Sequence, residues 1–474
     1  MHSSIKRLSQ DHWPVFLLSN ITSIINLILP IILVRLLAPE DMGLYKTFFL
    51  YLSLIPFLTM AGGPVNSIYF WIGKKEDERM EYIKSSWSAT LFLSSLILVP
   101  GFIAAFFFHH HFTLSMPTLF ILIVTGFLVC PAGHFSEVCI ARGENFLGAA
   151  LAMIFEMIKT VGFLYIAWKY QDIDLLFRFY FFMMIGSFAF MTYMGYRDGS
   201  LSFEINQEKI KEILKYSLPI SLSAFFIFII DKADQLIIST LTSAEAFAFY
   251  SLGCLVIPPL YLLETSVQKN LIPKLAHAYT ERHLLNMAHH YKKGIGDIAY
   301  LIIPAVFGLF FYASPITELL YTKTYLPSAV YLQVFALSYL LLLIPHDSVL
   351  RATGETKVIM KVYFWLTPFS ILFIFLAAKY LDLRTTLLIS IVIKLLPKLY
   401  CFSLSAKLMK TSIKELIPFQ RLSQFVGLSA LLTLVSFASK NLFANELQWF
   451  LVTAPVFALV YLGLFIFKHL RNSA

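Results

Sequence analysis

Apolar residues run along nearly the whole chain in stretches of twenty or more, parted by short polar breaks, from residue 13 to residue 468. A helix that crosses a bilayer needs about 20 apolar residues, because the hydrocarbon core is about 30 Å thick. On that basis the pattern predicts fourteen spans: 13–37, 42–72, 85–108, 115–141, 147–168, 175–196, 214–241, 246–272, 295–320, 328–351, 358–379, 385–408, 421–440 and 448–468. The second run is long and holds Pro56, Gly62, Gly63 and Pro64, which predicts a break or kink. The longest connections are 73–84, 197–213, 273–294 and 409–420. Within 204–216, Ile205, Ile210, Ile213 and Leu214 stand among charges. That spacing predicts a short amphipathic helix lying on the membrane surface and leading into span seven.

Composition agrees with the pattern. Hydrophobic residues make up 58% of the 474 and charged ones 14%, where soluble domains carry about 25% charged. No soluble core absorbs that much Phe, Leu and Ile. Lys6 and Arg7 precede a run that is long, has no small-residue cleavage site and is followed by many more, so it reads as a first span and not as a removable signal. With a cytoplasmic N-terminus, 25 of the 37 Lys and Arg fall on inside segments and their flanks. Lys74, Lys75, Lys468 and Arg471 are among them, 8 fall outside, and Lys159, Lys232, Lys394 and Lys398 lie within spans. The bias places both termini in the cytoplasm and makes the expected location a bacterial inner (cytoplasmic) membrane. It also accounts for the net charge of +9 without any nucleic-acid partner.

Two turns repeat. Leu36–Tyr45, after span one, reads LLAPEDMGLY, and Leu241–Tyr250, after span seven, reads LTSAEAFAFY, at an offset of 205 that aligns Glu40 with Glu245, Gly43 with Ala248 and Tyr45 with Tyr250. Ala141-Arg142-Gly143-Glu144-Asn145, after span four, echoes Ala352-Thr353-Gly354-Glu355-Thr356, after span ten, at an offset of 211. Two echoes in the same order predict an all-α polytopic membrane protein of about 14 transmembrane helices built as two parallel six-helix lobes. The lobes are 1–212 and 213–409, with two further helices in 410–474. Transporters with such repeats rock one half against the other around a central site.

The stretch Arg35-Leu36-Leu37-Ala38-Pro39-Glu40-Asp41-Met42-Gly43-Leu44-Tyr45 resembles the entry motif of the polysaccharide-biosynthesis, O-antigen flippase (Wzx-type) family. That family belongs to the multidrug/oligosaccharidyl-lipid/polysaccharide exporter (MOP) superfamily. Tyr216-Ser217-Leu218-Pro219, Asp234 and Tyr250 resemble its second-half landmarks, while Gln235 and Ala248 depart from it. The resemblance implies two lobes around a cavity open to one side at a time. It implies a flippase that moves a polyprenyl-pyrophosphate-linked oligosaccharide to the outer leaflet for surface polysaccharide, among membrane lipids and beside a polysaccharide polymerase and glycosyltransferases. A cation-coupled small-molecule antiporter of the same superfamily is the alternative. A membrane enzyme is disfavoured, since such enzymes use large outside loops and the connections here are short.

Charges inside spans cost about 2.5–3.5 kcal/mol each on insertion scales and so face a cavity or a partner. Span seven holds Asp231, Lys232 and Asp234, the two acids at i, i+3 on one face and the lysine turned about 100° away. Span twelve holds Lys394 and Lys398, one turn apart, and span five holds Glu156 and Lys159, spaced for a local pair and equally suited to a cavity wall. Glu264 and Gln268 in span eight fall near the cytoplasmic end, where the carboxylate reaches headgroup water. Asn20, Asn26 and Asn66 in spans one and two suit interhelical hydrogen bonds, and Asn26 and Asn66 also suit a cavity wall. The acids need a cation, a proton or water beside them, which fits a cycle driven by protons, by sodium or by substrate removal alone, and no cofactor is expected; the lysines suit an anionic head. Cys130, Cys139, Cys254 and Cys401 lie in apolar runs and read as packing residues. His109, His110 and His111 read as a solvated loop. No zinc, phosphate-loop or nucleophile motif is present.

Overall fold

The computed structural model describes residues 13–473 except 74, 75, 203 and 204, so Lys6, Arg7, Lys74, Lys75 and Glu204 lie outside the described residues. Among the described residues there are helices and turns and no strands. Twelve helices are long and apolar enough to cross a membrane, and two bent pairs bring the number of spans to fourteen, the number the hydrophobic pattern predicts. Two compact units emerge, Met1–Ala248 and Phe249–Ala474.

The first unit starts with α1 (Trp13–Leu33), α2 (Pro39–Leu58) and α3 (Gly62–Trp71). Helices α2 and α3 together form span two, bent by 54°. The bend falls where Met60 takes a φ of +59° and Gly62-Gly63-Pro64 follows, as the Gly and Pro there predict. Next come α4 (Glu76–Ser95), α5 (Leu98–Phe108), α6 (Met116–Ala141), α7 (Asn145–Lys169), α8 (Ile173–Arg197) and α9 (Gln207–Leu241). Asn206 caps α9 by accepting from the Lys209 amide at 3.2 Å. The surface helix expected over 204–216 is therefore the first turns of a 35-residue helix that continues into span seven. Nothing between Asn206 and Pro219 stops a helix, and Pro219 is carried inside it. Helix α9 packs against α2, α3 and α4, so the compact unit ends one span beyond residue 212.

Helix α10 (Ala244–Gly253) runs across the boundary between units. It is followed by α11 (Pro258–Thr280), bent from it by 48° at Cys254–Ile257, where Pro258-Pro259 restarts the helix. Then come α12 (Leu284–Phe311), α13 (Ala313–Tyr321) and α14 (Ser328–Ala336), a 3-10 stretch Leu337–Leu343, and α15 (Ser348–Ala352). The unit closes with α16 (Thr356–Tyr380), α17 (Leu383–Leu408), the single turn α18 (Ile413–Leu416), α19 (Phe419–Ala438) and α20 (Glu446–Ser473). Segment 273–294, expected as a connection, is helical except at Glu281–His283. Its polar residues mark exposure and not loss of helix. Around it Leu271, Leu275, Tyr291, Ile295, Val349 and Phe402 form one buried cluster.

The echoed turns share one geometry. Gly143 and Gly354 have φ of +85° and +81°. The next amides, of Glu144 and Glu355, donate to the carbonyls five residues back, Cys139 at 2.9 Å and Leu350 at 2.8 Å. This is the closure of a helix end through a left-handed residue. Gly199, Arg282 and Lys410 close α8, α11 and α17 in the same way, so spans four, six, eight, ten and twelve all end alike. The other echo explains a glycine: a Cβ on Gly43 would stand 1.8 Å from the Ala244 carbonyl oxygen.

Candidate functional site

In the first unit α9 carries Asp231, Lys232 and Asp234 within one turn. Asp231 lies ten residues before the helix end, about 15 Å along its axis and so near mid-membrane. Its carboxylate is 58% exposed and stands 3.3 Å from the Lys232 ammonium. Asp234 is 1% exposed. The two acids predicted on one face thus differ in environment. Residues three apart are offset by about 60° around a helix, and the edge of the packed surface runs between them.

Helix α7 presents Glu156 and Lys159 as the expected local pair, 2.5 Å apart. Lys159 also donates to Oδ1 of Asn26 on α1 at 3.2 Å. Asn26, expected to make an interhelical hydrogen bond, and the local pair therefore meet in one cluster. Asn66 lies elsewhere, on α3 just past the bend, where it helps line a cavity of about 230 Å³ with Gly62, Gly63, Ser217 and Ser221. The two helices touch there: a Cβ on Gly63 would lie 2.2 Å from Ser221 Oγ. Ser217 Oγ is buried without a hydrogen-bond partner, a donor facing that small space.

In the second unit Lys398 does not project alone. Its ammonium donates to the Leu341 carbonyl at 2.9 Å and lies 3.9 Å from Glu264 Oε1, which accepts from Gln268 at 3.0 Å. Glu264 is buried, not at headgroup water as its place in the sequence suggests, because a cation from another helix reaches it. Lys394 stands one turn nearer the start of α17, half-buried.

The Leu341 carbonyl belongs to a break in span ten that the hydrophobic run concealed. The 3-10 stretch ends at Leu343, Ile344–Asp347 is non-helical, and α15 begins at Ser348. Polar groups gather at the freed backbone: Tyr291 donates to the Pro345 carbonyl at 3.3 Å, and Tyr363 and His346 Nε2 lie 3.2 Å apart. Asp347 pairs with Arg351 at 2.6 Å through one oxygen, and its other oxygen is buried without a partner. Sequence reading missed His346 and Asp347, although Pro345 followed by two polar residues inside an apolar run was a usable signal. It also missed Glu137, which accepts from Tyr69 at 2.6 Å, and His134, buried 2.8 Å from Ser86 Oγ. Among the described residues no three His, Cys, Asp or Glu come together as metal ligands, and His109–His111 form an exposed 3-10 turn.

These arrangements solvate and neutralise charge inside a membrane. The sequence matches the family described as "Polysaccharide biosynthesis protein" over residues 32–330. No curated protein sequence matches. Among solved structures, the lipid II flippase MurJ in an inward closed conformation superposes with a TM-score of 0.72 at 17% identity, over 97% of this chain and 99% of that one. An inward-facing multidrug resistance MATE family transporter of the MOP superfamily gives 0.63 at 17% identity, over 82% of this chain and 96% of the other. The multi-pass fold is thus the one shared by MurJ and MATE transporters, and the chain belongs to the polysaccharide biosynthesis protein family.

Proposed function

We propose that this protein is a flippase that carries a polyprenyl-pyrophosphate-linked oligosaccharide from the inner to the outer leaflet of a bacterial cytoplasmic membrane. The observation that carries the reading is Asp231. A carboxylate 58% exposed at mid-span is too costly against lipid, so that face of α9 meets water. A water-filled intramembrane surface is what a sugar head requires, since each hydroxyl moved into hydrocarbon without a partner costs about 4–8 kcal/mol. The lipid tail stays in the bilayer and needs only a lateral opening. The family match favours a polysaccharide precursor over a drug, whereas the fold alone fits both, as the MATE likeness shows.

In this reading Asp231, Lys232 and Asp234 set the charge of the cavity wall and take a proton or sodium ion. Lys394 meets the anionic head, and Lys398 is committed to Glu264 and the broken span. Deletion is expected to abolish surface polysaccharide and accumulate its lipid-linked precursor in the inner leaflet, measured by leaflet-specific labelling. Normal polysaccharide with altered drug resistance would overturn the reading in favour of an antiporter.

A further inference from the structure

A basic recess in the second unit plays no part in the readings above. Residues 412–418 lead into α19 and lie against the first half of α12. Lys292 and Lys293 of α12, Lys414 of α18 and Arg421 of α19 line a cavity of about 950 Å³. His289, Ser412 and Gln420 add further polar groups. Glu415 is the one carboxylate in the lining, and it is already engaged. The Thr411 hydroxyl donates to it at 2.5 Å, and the hydroxyls of Thr411 and Ser412 hold its carboxyl below the usual glutamate range. Asp297, one turn deeper on α12, lies within electrostatic reach of Lys274, Lys293 and Arg421. The recess is built: a Cβ on Gly296 would stand 3.2 Å from Arg421 Nη1, so the glycine leaves room for the guanidinium against α12.

Immediately past Arg421 the same two helices change character. Leu422 and Val426 of α19 and Ile303, Val306, Phe307 and Phe310 of α12 line a second, wholly apolar cavity of about 460 Å³. From Lys293 to Ile303 is about 15 Å along the helix. A charged mouth and an apolar recess at that separation match a phosphate head and its acyl chains.

We propose that this pair of cavities binds one anionic phospholipid of the bilayer, its phosphate among Lys292, Lys293 and Arg421 and its acyl chains in the apolar recess. Basic pockets between spans at the membrane interface select such heads. A free phosphate would leave the apolar cavity unused. The inference stands whether or not the protein flips a polysaccharide precursor.

Native mass spectrometry of the full chain, incubated with phosphatidylglycerol or phosphatidylcholine, tests it. Phosphatidylglycerol is expected to be retained several-fold more than phosphatidylcholine. Retention falls several-fold in K293Q/R421Q and in L422W, which fills the apolar recess, and is unchanged in K379Q. Equal retention of the two lipids, or a K293Q/R421Q variant that binds as the parent does, overturns the proposal. Displacement by pyrophosphate alone assigns the recess to a soluble anion, and displacement by lipid-linked oligosaccharide assigns it to a transported substrate; either overturns it as well. Should that variant not fold, the parent protein decides: retention must fall as salt rises, and salt-independent retention refutes the electrostatic half.

Discussion

Each unit holds a carboxylate paired with a lysine inside the membrane, and the two pairs are built differently. Glu156 and Lys159 sit one turn apart on α7, and the lysine also donates to Asn26 of α1. Glu264 and Lys398 come from α11 and α17, and the lysine also holds the Leu341 carbonyl of a third element. A pair on one helix travels with that helix, so its energy is indifferent to most rearrangements. A pair between helices breaks when they part. The first arrangement lets two charges be carried through a bilayer, while the second ties three elements of the unit together where span ten has lost its own hydrogen bonds.

Removing the cross-helix lysine is expected to have the largest effect. Lys398→Ala strands Glu264 and leaves a freed carbonyl without its donor. Breaking a buried pair from one side costs about 3–5 kcal/mol. The 3.9 Å separation places this case at the lower end, about 3 kcal/mol. Thermal unfolding of purified protein measures it, and a double-mutant cycle with Glu264→Gln isolates the pair. A coupling energy near zero would show that Lys398 serves the carbonyl alone.

The tightest joint of the first unit is steric instead. Gly43→Val would drive a side chain into the Ala244 carbonyl, backbone that cannot give way cheaply. The expected loss is about 2 kcal/mol from overpacking. Gly133→Ala, where a Cβ meets nothing within 4 Å, serves as the control and should leave the unfolding temperature in place. Equal effects at both glycines would remove the explanation offered for the motif.

The local pair should be worth less. Glu156→Gln with Lys159→Gln removes both charges and leaves side chains that still reach Asn26. Replacing a complete pair is close to neutral where removing one partner is not, so a change of about 1 kcal/mol or less is expected. The single variant Glu156→Gln should be worse than the double one. The reverse order would mean that Glu156 has a duty other than Lys159.

This contrast also explains what was legible in the sequence. Run length sets the spans, because hydrocarbon thickness is fixed. The bend in span two was legible because Gly62-Gly63-Pro64 is a local signal. The Glu156–Lys159 pair was legible because an i, i+3 spacing fixes a distance before any packing occurs. The Glu264–Lys398 pair was not: 134 residues separate its members, and only packing brings them together. The break at Ile344–Asp347 was hidden inside a run whose length matched one span. Helix α9 is one helix and not a surface piece plus a span, because the polarity at 207–216 marks a change of surroundings along it and not a change of element.

The smallest effect on stability, and the most informative on function, is expected at Asp231. An exposed ion pair is worth about 0.2–1 kcal/mol, and Asp231 pairs with its own neighbour, Lys232, at 3.3 Å. Asp231→Asn keeps the shape and removes the charge, so the unfolding temperature should hardly move. Asp234→Asn, at a buried position on the same helix, should cost more. If Asp231 faces water, a cysteine in its place reacts with a membrane-impermeant thiol reagent, while one at Ile227, an exposed apolar position a turn earlier, reports how far that wet face extends. Labelling at 231 that slows when lipid-linked oligosaccharide is added would tie the wet surface to the transported head. Failure to label from either side of the membrane would mean that the carboxylate lies against lipid or a second protein, and the water-filled surface on which the flippase reading rests would be lost.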